Sequence, residues 1–224
     1  MRARTRIKFC GITRVEDALA AADLGVDAIG LVLTRRSPRC VAIERARAIR
    51  RALPPFLAAV TLFMDDEIAF VAEAVSAIAP DLLQFHGSEP AADCVRYGRP
   101  YLKAVPMASG KIASPAKAMA GGTTQANDDW RAVIAAHPGA AAFLLDGHAA
   151  GEQGGSGNRF DWSIEVRAGK PVVLAGGLTE ANVAEAIRIA RPYAVDVSSG
   201  IESAPGVKDP EKMRRFVAAV RSCD

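Results

Sequence analysis

Lys8 and Cys10 stand two residues apart at the end of a short apolar run that stops at Gly11. Side chains alternate along a β-strand, so Lys8 and Cys10 share one face and Phe9 takes the other. A lysine facing a protein interior is costly unless it is paired or functional. Its ammonium could also stabilise a thiolate at Cys10 and make the thiol a usable base. The same pattern is equally that of a small buried cysteine. A second apolar run, Phe143-Leu144-Leu145, ends in Asp146. A carboxylate at the mouth of an apolar pocket is a candidate general acid when its surroundings raise its pKa. A helix cap or a loop turn is the other reading of it. Gln84 and His86 share a face by the same alternation. Both carry hydrogen-bonding groups suited to an uncharged part of a ligand, or to a satisfied polar pair in a core. His148, in a stretch of glycine and alanine, reads as an exposed loop residue.

Two glycine-rich turns point to an anion. Gly176-Gly177 follows the run Pro171–Ala175, and Ser199-Gly200 follows the run Ala194–Val197. Glycine lets backbone N–H groups approach phosphate oxygens, and Ser199 can add a hydroxyl donor. Plain tight turns are the alternative for either one alone. Asp196 alternates with Ser198, so those two share a face. Arg39, in Ser37-Pro38-Arg39-Cys40, is placed to grip a carboxylate with a bidentate guanidinium, or to sit on the surface.

These residues need a scaffold, and the pattern supplies one. Strand-like runs are Arg6–Phe9, Ala28–Leu33, Ala58–Phe63, Leu82–Phe85, Tyr101–Val105, Ala142–Leu145, Pro171–Ala175 and Ala194–Val197. Helical patterns lie between most of them, at Val15–Leu24, Ile43–Leu53, Glu67–Ala79, Glu89–Tyr97, Asp128–Ala136 and Ala181–Ala190, with a last one at Pro210–Val220. Thr13, Ser88, Thr179 and Asp209 stand where helices should start. Strict alternation predicts a parallel sheet covered by helices. The count of eight predicts an α/β fold closed as a (β/α)₈ TIM barrel, with 1–224 as a single domain, rather than an open doubly wound sheet. In such a barrel the loops after the strands line the active face. The Gly-rich stretch Asp146–Asn158 is then a candidate lid, and the long Pro106–Pro138 segment reads as a surface insertion.

Composition narrows the function. A net charge of +3 with scattered basic residues does not imply a nucleic-acid partner. No apolar run reaches the roughly 18 residues of a spanning helix, so no membrane partner is expected. The basic start Met1–Arg6 is not followed by a signal-like apolar stretch. The four cysteines form no CxxC pair and no zinc spacing, so no metal is expected. Reduced thiols and a cytoplasmic location follow as expectations.

Taken together the motifs resemble those of the phosphoribosylanthranilate isomerase family of tryptophan biosynthesis. The similar elements are Lys8-Phe9-Cys10-Gly11-Ile12-Thr13, Gly25–Gly30, Ser37-Pro38-Arg39, Leu83–Gly87, Leu144-Leu145-Asp146, Gly154–Gly157 with Phe160-Asp161-Trp162, Gly176-Gly177-Leu178 and Asp196–Gly200. The resemblance implies a (β/α)₈ barrel and an Amadori rearrangement of N-(5-phosphoribosyl)anthranilate to the open-chain carboxyphenylamino-deoxyribulose phosphate. It implies Asp146 as general acid, Cys10 as general base, and Arg39 on the anthranilate carboxylate. Gln84, His86 and Asp196 would bind substrate; Gly176, Gly177, Ser199 and Gly200 would bind its phosphate. No cofactor is implied, the partner is a small phosphosugar, and the chain would be a monomer or a homodimer. Phe9 and Phe85 stand where smaller aliphatic residues are usual, and Phe63-Met64-Asp65 replaces Phe-Val-Asn. Two other readings are a phosphosugar barrel isomerase of histidine biosynthesis, which uses aspartates as both acid and base, and a non-catalytic phosphosugar-binding barrel. Cys10 argues against the first, and the intact Cys10 and Asp146 against the second.

Overall fold

A computed structural model describes residues 4–107, 129–147 and 160–224. Its elements alternate as the sequence pattern requires. They are β1 (Arg6–Cys10), α1 (Val15–Asp23), β2 (Ala28–Val32), α2 (Ile43–Ala52), β3 (Ala58–Phe63), α3 (Ile68–Ile78), β4 (Leu82–Phe85) and α4 (Ala91–Val95). The second half runs through β5 (Tyr101–Pro106), α5 (Asp129–Ala136), β6 (Ala142–Asp146), β7 (Val172–Leu174), α6 (Val183–Ala190) and β8 (Ala194–Val197). A 3₁₀ turn at Ser199–Ile201, strands β9 (Glu202–Ala204) and β10 (Val207–Lys208), and α7 (Pro210–Arg221) complete it. Strands β1 to β8 close a parallel barrel in sequence order, with β8 returning to β1. The predicted Glu89–Tyr97 helix shortens to α4, and the predicted Ala181–Ala190 helix starts only at Val183. Residues 148–158 of the candidate lid Asp146–Asn158, with His148 and Gly154–Gly157, and residues 108–128 of the long Pro106–Pro138 segment lie outside the described residues.

Alternation along the strands builds two apolar compartments. Val60, Leu102, Ala104, Ala142, Leu144, Val173 and Ala194 fill the barrel interior. Phe9, Ile29, Leu31, Phe63, Phe85, Phe143 and Val195 face outward into a larger core shared with the helices. Phe9 meets Phe216 of α7 edge-on, with ring centroids 6.1 Å apart. Phe85 packs against Phe63, Tyr97 and Tyr101. The two unusual phenylalanines therefore belong to the helix-facing core, away from the barrel interior. Asp65, in the unusual Phe63-Met64-Asp65, adopts φ 55, a left-handed conformation that Asp and Asn tolerate better than most residues. Its Oδ1 accepts hydrogen bonds from the backbone N–H and hydroxyl of Ser88.

Only one of the four predicted helix starts is a side-chain cap. Asp209 Oδ1 accepts from the N–H groups of Glu211 and Lys212, with Pro210 at the first turn. The other three corrections share a cause: each side chain finds a tertiary partner, or a different residue takes the cap position. Thr13 donates to the Gly206 carbonyl, and Arg14 precedes α1. Ser88 is engaged by Asp65, and Pro90 precedes α4. Asn182 precedes α6 and accepts from the Thr179 N–H, the reverse of the predicted roles. The β9–β10 hairpin was not anticipated. It turns through Gly206 at φ 78 and is pinned to α1, where Asp17 accepts from the Lys208 N–H.

Candidate active site

The strand register brings Lys8 opposite Asp196 and Cys10 opposite Gly30. Lys8 Nζ donates to Asp196 Oδ1 at 2.8 Å, with both groups buried. The costly inward lysine is thus paired across the seam that closes the barrel. A Cβ at Gly30 would lie 2.8 Å from Cys10 Sγ and 3.1 Å from Lys8 Nζ, so the glycine makes the space that the thiol and ammonium occupy. Burial tends to lower the Lys8 pKa, but the Asp196 and Cys10 charges outweigh it and hold the ammonium above its ordinary range. Burial pushes the Cys10 thiol above its ordinary value; Lys8 and Lys208 oppose this, and Asp196 reinforces it. Lys8 favours the thiolate, the direction expected of it, but not by enough to offset burial. Its charge is already shared with Asp196, and desolvation outweighs what remains.

Asp146 ends β6 with its side chain on the interior face, two residues past Leu144. Its Oδ2 lies 3.3 Å from His86 Nε2, and His86 Nδ1 lies 3.2 Å from Gln84 Nε2. When the Gln84 amide donates to Nδ1, the ring proton resides on Nε2 and points at Asp146. The sequence suggested Gln84 and His86 as ligand groups; the structure joins them in a chain that ends on the candidate acid. Among the described residues, Gln84 Oε1 and Ser198 Oγ are buried without a hydrogen-bond partner. Both residues line the same pocket.

The two glycine turns meet. Gly176 and Gly177 have φ 83 and 62, the left-handed region that favours glycine. A Cβ at Gly176 would lie 2.5 Å from the Gly147 nitrogen, and one at Gly200 would lie 2.0 Å from the Leu178 carbonyl oxygen. The loops after β7 and β8 therefore touch through their backbones, and Ser199 lines the pocket together with Gly176 and Gly177.

Arg39 reaches the site from the loop after β2, with its stem against Gly11. It donates from Nε to Glu202 Oε1 at 2.8 Å and from Nη2 to Oε2 at 2.7 Å. Lys208 Nζ donates to the same Oε1 at 2.8 Å and to the Ser198 carbonyl at 3.1 Å. The hydrogen bonds to Glu202 raise the Arg39 pKa. Burial pushes Glu202 up, yet Arg39 and Lys208 together bring it below its ordinary value. Burial draws the Lys208 ammonium down; Glu202 and, less strongly, Cys10 oppose this, and Arg39 reinforces it. Glu202, Lys208 and Gly30 were missed in the sequence. The Pro205-Gly206 pair signals a turn there, but nothing local says that its flanking charges fold back onto Arg39.

One cleft of about 760 Å³ collects these groups at the C-terminal ends of the strands. Cys10, Arg39, Gln84, His86, Asp146, Gly176, Gly177, Asp196 and Ser199 all line it; of the expected site residues only Gly200 stands behind it. Among the described residues no group of three or more His, Cys, Asp or Glu could hold a metal ion, and no helix is long and apolar enough to cross a membrane.

Residues 7–219 match the family model described as N-(5'phosphoribosyl)anthranilate (PRA) isomerase. The chain is 53% identical over 218 residues to the N-(5'-phosphoribosyl)anthranilate isomerase of Pseudomonas paraeruginosa, covering 97% of this chain and 95% of the relative. Among solved structures it is similar to the phosphoribosyl anthranilate isomerase of Thermotoga maritima, with a TM-score of 0.81 and 32% identity over 97% of this chain and 99% of the other. It is also similar to such an isomerase in complex with reduced 1-(o-carboxyphenylamino)-1-deoxyribulose 5-phosphate, with a TM-score of 0.79, 31% identity, and coverage of 97% and 99%.

Proposed function

The chain belongs to the N-(5'-phosphoribosyl)anthranilate isomerase family and carries out the isomerase step of tryptophan biosynthesis, and we propose that it does so with Asp146 as general acid and Cys10 as general base. The phosphate of the substrate anchors on the backbone N–H groups of Gly176, Gly177 and Gly200 and on the Ser199 hydroxyl. The carboxylate of the anthranilate ring lies against Arg39. Glu202 holds the guanidinium by its Nε and Nη2. Gln84 and the Lys8–Asp196 pair face the sugar between these anchors.

Asp146 gives a proton to the ribose ring oxygen. The bond from C1′ to that oxygen breaks, and the nitrogen lone pair forms a C=N iminium. A Cys10 thiolate then takes the proton from C2′. The C2′–H electrons become a C1′=C2′ double bond, and the iminium electrons return to nitrogen. The enolamine loses its O2′ proton and gains one at C1′ to give the ketone. The substrate nitrogen is the electron sink, so the cycle calls on no group beyond these side chains. His86 Nε2–H, aimed at Asp146, holds the carboxyl after its proton has left. The iminium cation makes the C2′ proton more acidic and favours the thiolate, offsetting the burial that raises the Cys10 pKa.

The observation that carries this reading is the convergence on one cleft of Cys10, Asp146, Arg39 and the two glycine loops. All come from one barrel, so a monomer and a homodimer are equally able to carry the site. The cysteines at 10, 40, 94 and 223 are free, and a catalytic thiol must stay reduced, which suits the cytoplasm. The test is to follow the fluorescence of freshly made phosphoribosylanthranilate. Purified protein should consume it, and should leave the substrate of the histidine-pathway isomerase unchanged. Turnover of the second substrate alone would overturn the assignment. So would binding of phosphoribosylanthranilate without turnover.

A further inference from the structure

Glu202 presents a puzzle in a site that binds a carboxylate. A buried carboxylate in bidentate contact with Arg39 fixes the guanidinium but also cancels its charge. A neutral arginine–glutamate pair would orient a ligand and attract it little. Lys208 resolves this. It is 1% exposed and sits 2.8 Å from the same Glu202 oxygen. The trio Arg39, Glu202 and Lys208 is therefore cationic by one charge, while the neighbouring Lys8–Asp196 pair is balanced.

We propose that Glu202 and Lys208 are positioning residues: Glu202 aims Arg39, and Lys208 restores the positive charge that Glu202 removes, so that the clamp is both rigid and attractive to a substrate carboxylate. The proposal rests on the reading above that Arg39 meets that carboxylate. Three features of the hairpin support a dedicated part. Glu202 is saturated, with Oε1 accepting from Arg39, Lys208 and the Gly206 N–H and Oε2 accepting from Arg39, so it has little capacity left to compete for other donors. Lys208 also donates to the Ser198 carbonyl, which ties the clamp to the loop that carries Ser199. The hairpin itself is held from α1 by Asp17 and by the Thr13 hydroxyl, so the clamp is referenced to the rigid barrel rather than to a loose loop. A long arginine side chain has many rotamers, and fixing it before substrate arrives removes that cost from binding.

Charge and aim separate in the variants. Lys208→Met keeps the aim and cancels the charge, so KM for phosphoribosylanthranilate should rise about tenfold or more with kcat changed less than about threefold. Glu202→Gln raises the trio to two positive charges but loosens the aim, and KM should rise because the unaimed guanidinium loses more than the added charge returns. The double variant recovers one positive charge, so its KM should fall below that of Lys208→Met alone. A merely structural role predicts the opposite, two losses that add. A second arm needs no Lys208 variant: once Arg39→Ala has raised KM, adding Glu202→Gln should not raise KM further, because the residue to be aimed is gone. Additive losses in both arms, or a fall in kcat at constant KM, would overturn the proposal. Arg39→Ala with unchanged KM would instead overturn the carboxylate role of Arg39, and a wild-type protein without turnover would overturn the function.

Discussion

Cys10 is surrounded by cations that are already engaged. Lys8 is held by Asp196, and Lys208 and Arg39 are held by Glu202, so burial decides and the resting residue is the thiol. The sign is simple. The thiolate fraction grows with pH, and the midpoint lies above the ordinary 9.0. Alkylation of Cys10, followed by peptide mass spectrometry, should therefore keep accelerating through pH 9 with no plateau at lower pH. Cys94, fully buried and not among the residues lining the cleft, should react more slowly still. A Cys10 plateau below pH 8 would show that the cations outweigh burial. Residue types and alternation made Lys8, Cys10, Asp146, Gln84 and His86 legible in the sequence. Their partners were not legible. The Lys8–Asp196 pair spans 188 positions and depends on the register of the last strand against the first, which no local pattern encodes.

At the scale of elements, the strands were read to within a residue or two because two faces with opposite partners enforce a period of two. The helix starts were read less well, since Thr13 and Ser88 bond across the fold and Asn182 takes the cap position expected of Thr179. Small residues inside the strands were the quietest signal. Gly30 sits in the middle of β2, where glycine weakens a strand, and only the neighbouring β1 explains it. Gly30→Ala would add a methyl within 2.8 Å of Sγ and force Cys10 or Lys8 to move. The variant should stay folded by circular dichroism and lose kcat by about tenfold to a hundredfold, as expected for a displaced catalytic group. An undiminished kcat would mean that the thiol has room to spare or is not the base.

The whole molecule closes where its ends meet. β1 pairs with β8, and α7 covers the seam with Phe216 against Phe9. Phe216→Ala should cost about 3–5 kcal/mol of unfolding free energy in a denaturant titration. The activity per folded molecule should persist, because both rings lie on the helix side of the strands. A stability loss under about 1 kcal/mol would mean that the seam repacks around the cavity. The barrel count was legible from the sequence, but the hairpin after β8 was not, since its short strands, Glu202–Ala204 and Val207–Lys208, resemble any polar turn. That hairpin carries two of the five buried charges around the cleft.

The central claim is that barrel closure sets a base from the first strand and an acid from the sixth across one substrate. Steady-state turnover of freshly made phosphoribosylanthranilate, measured for the wild type, Cys10→Ala and Asp146→Asn, tests it most directly. Each variant should keep the wild-type fold and a similar KM and lose kcat by about 10²- to 10⁴-fold, the usual worth of a positioned acid or base. The double variant should lose far less than the product of the two. Near-normal kcat in folded Cys10→Ala would contradict the account and return Cys10 to core packing.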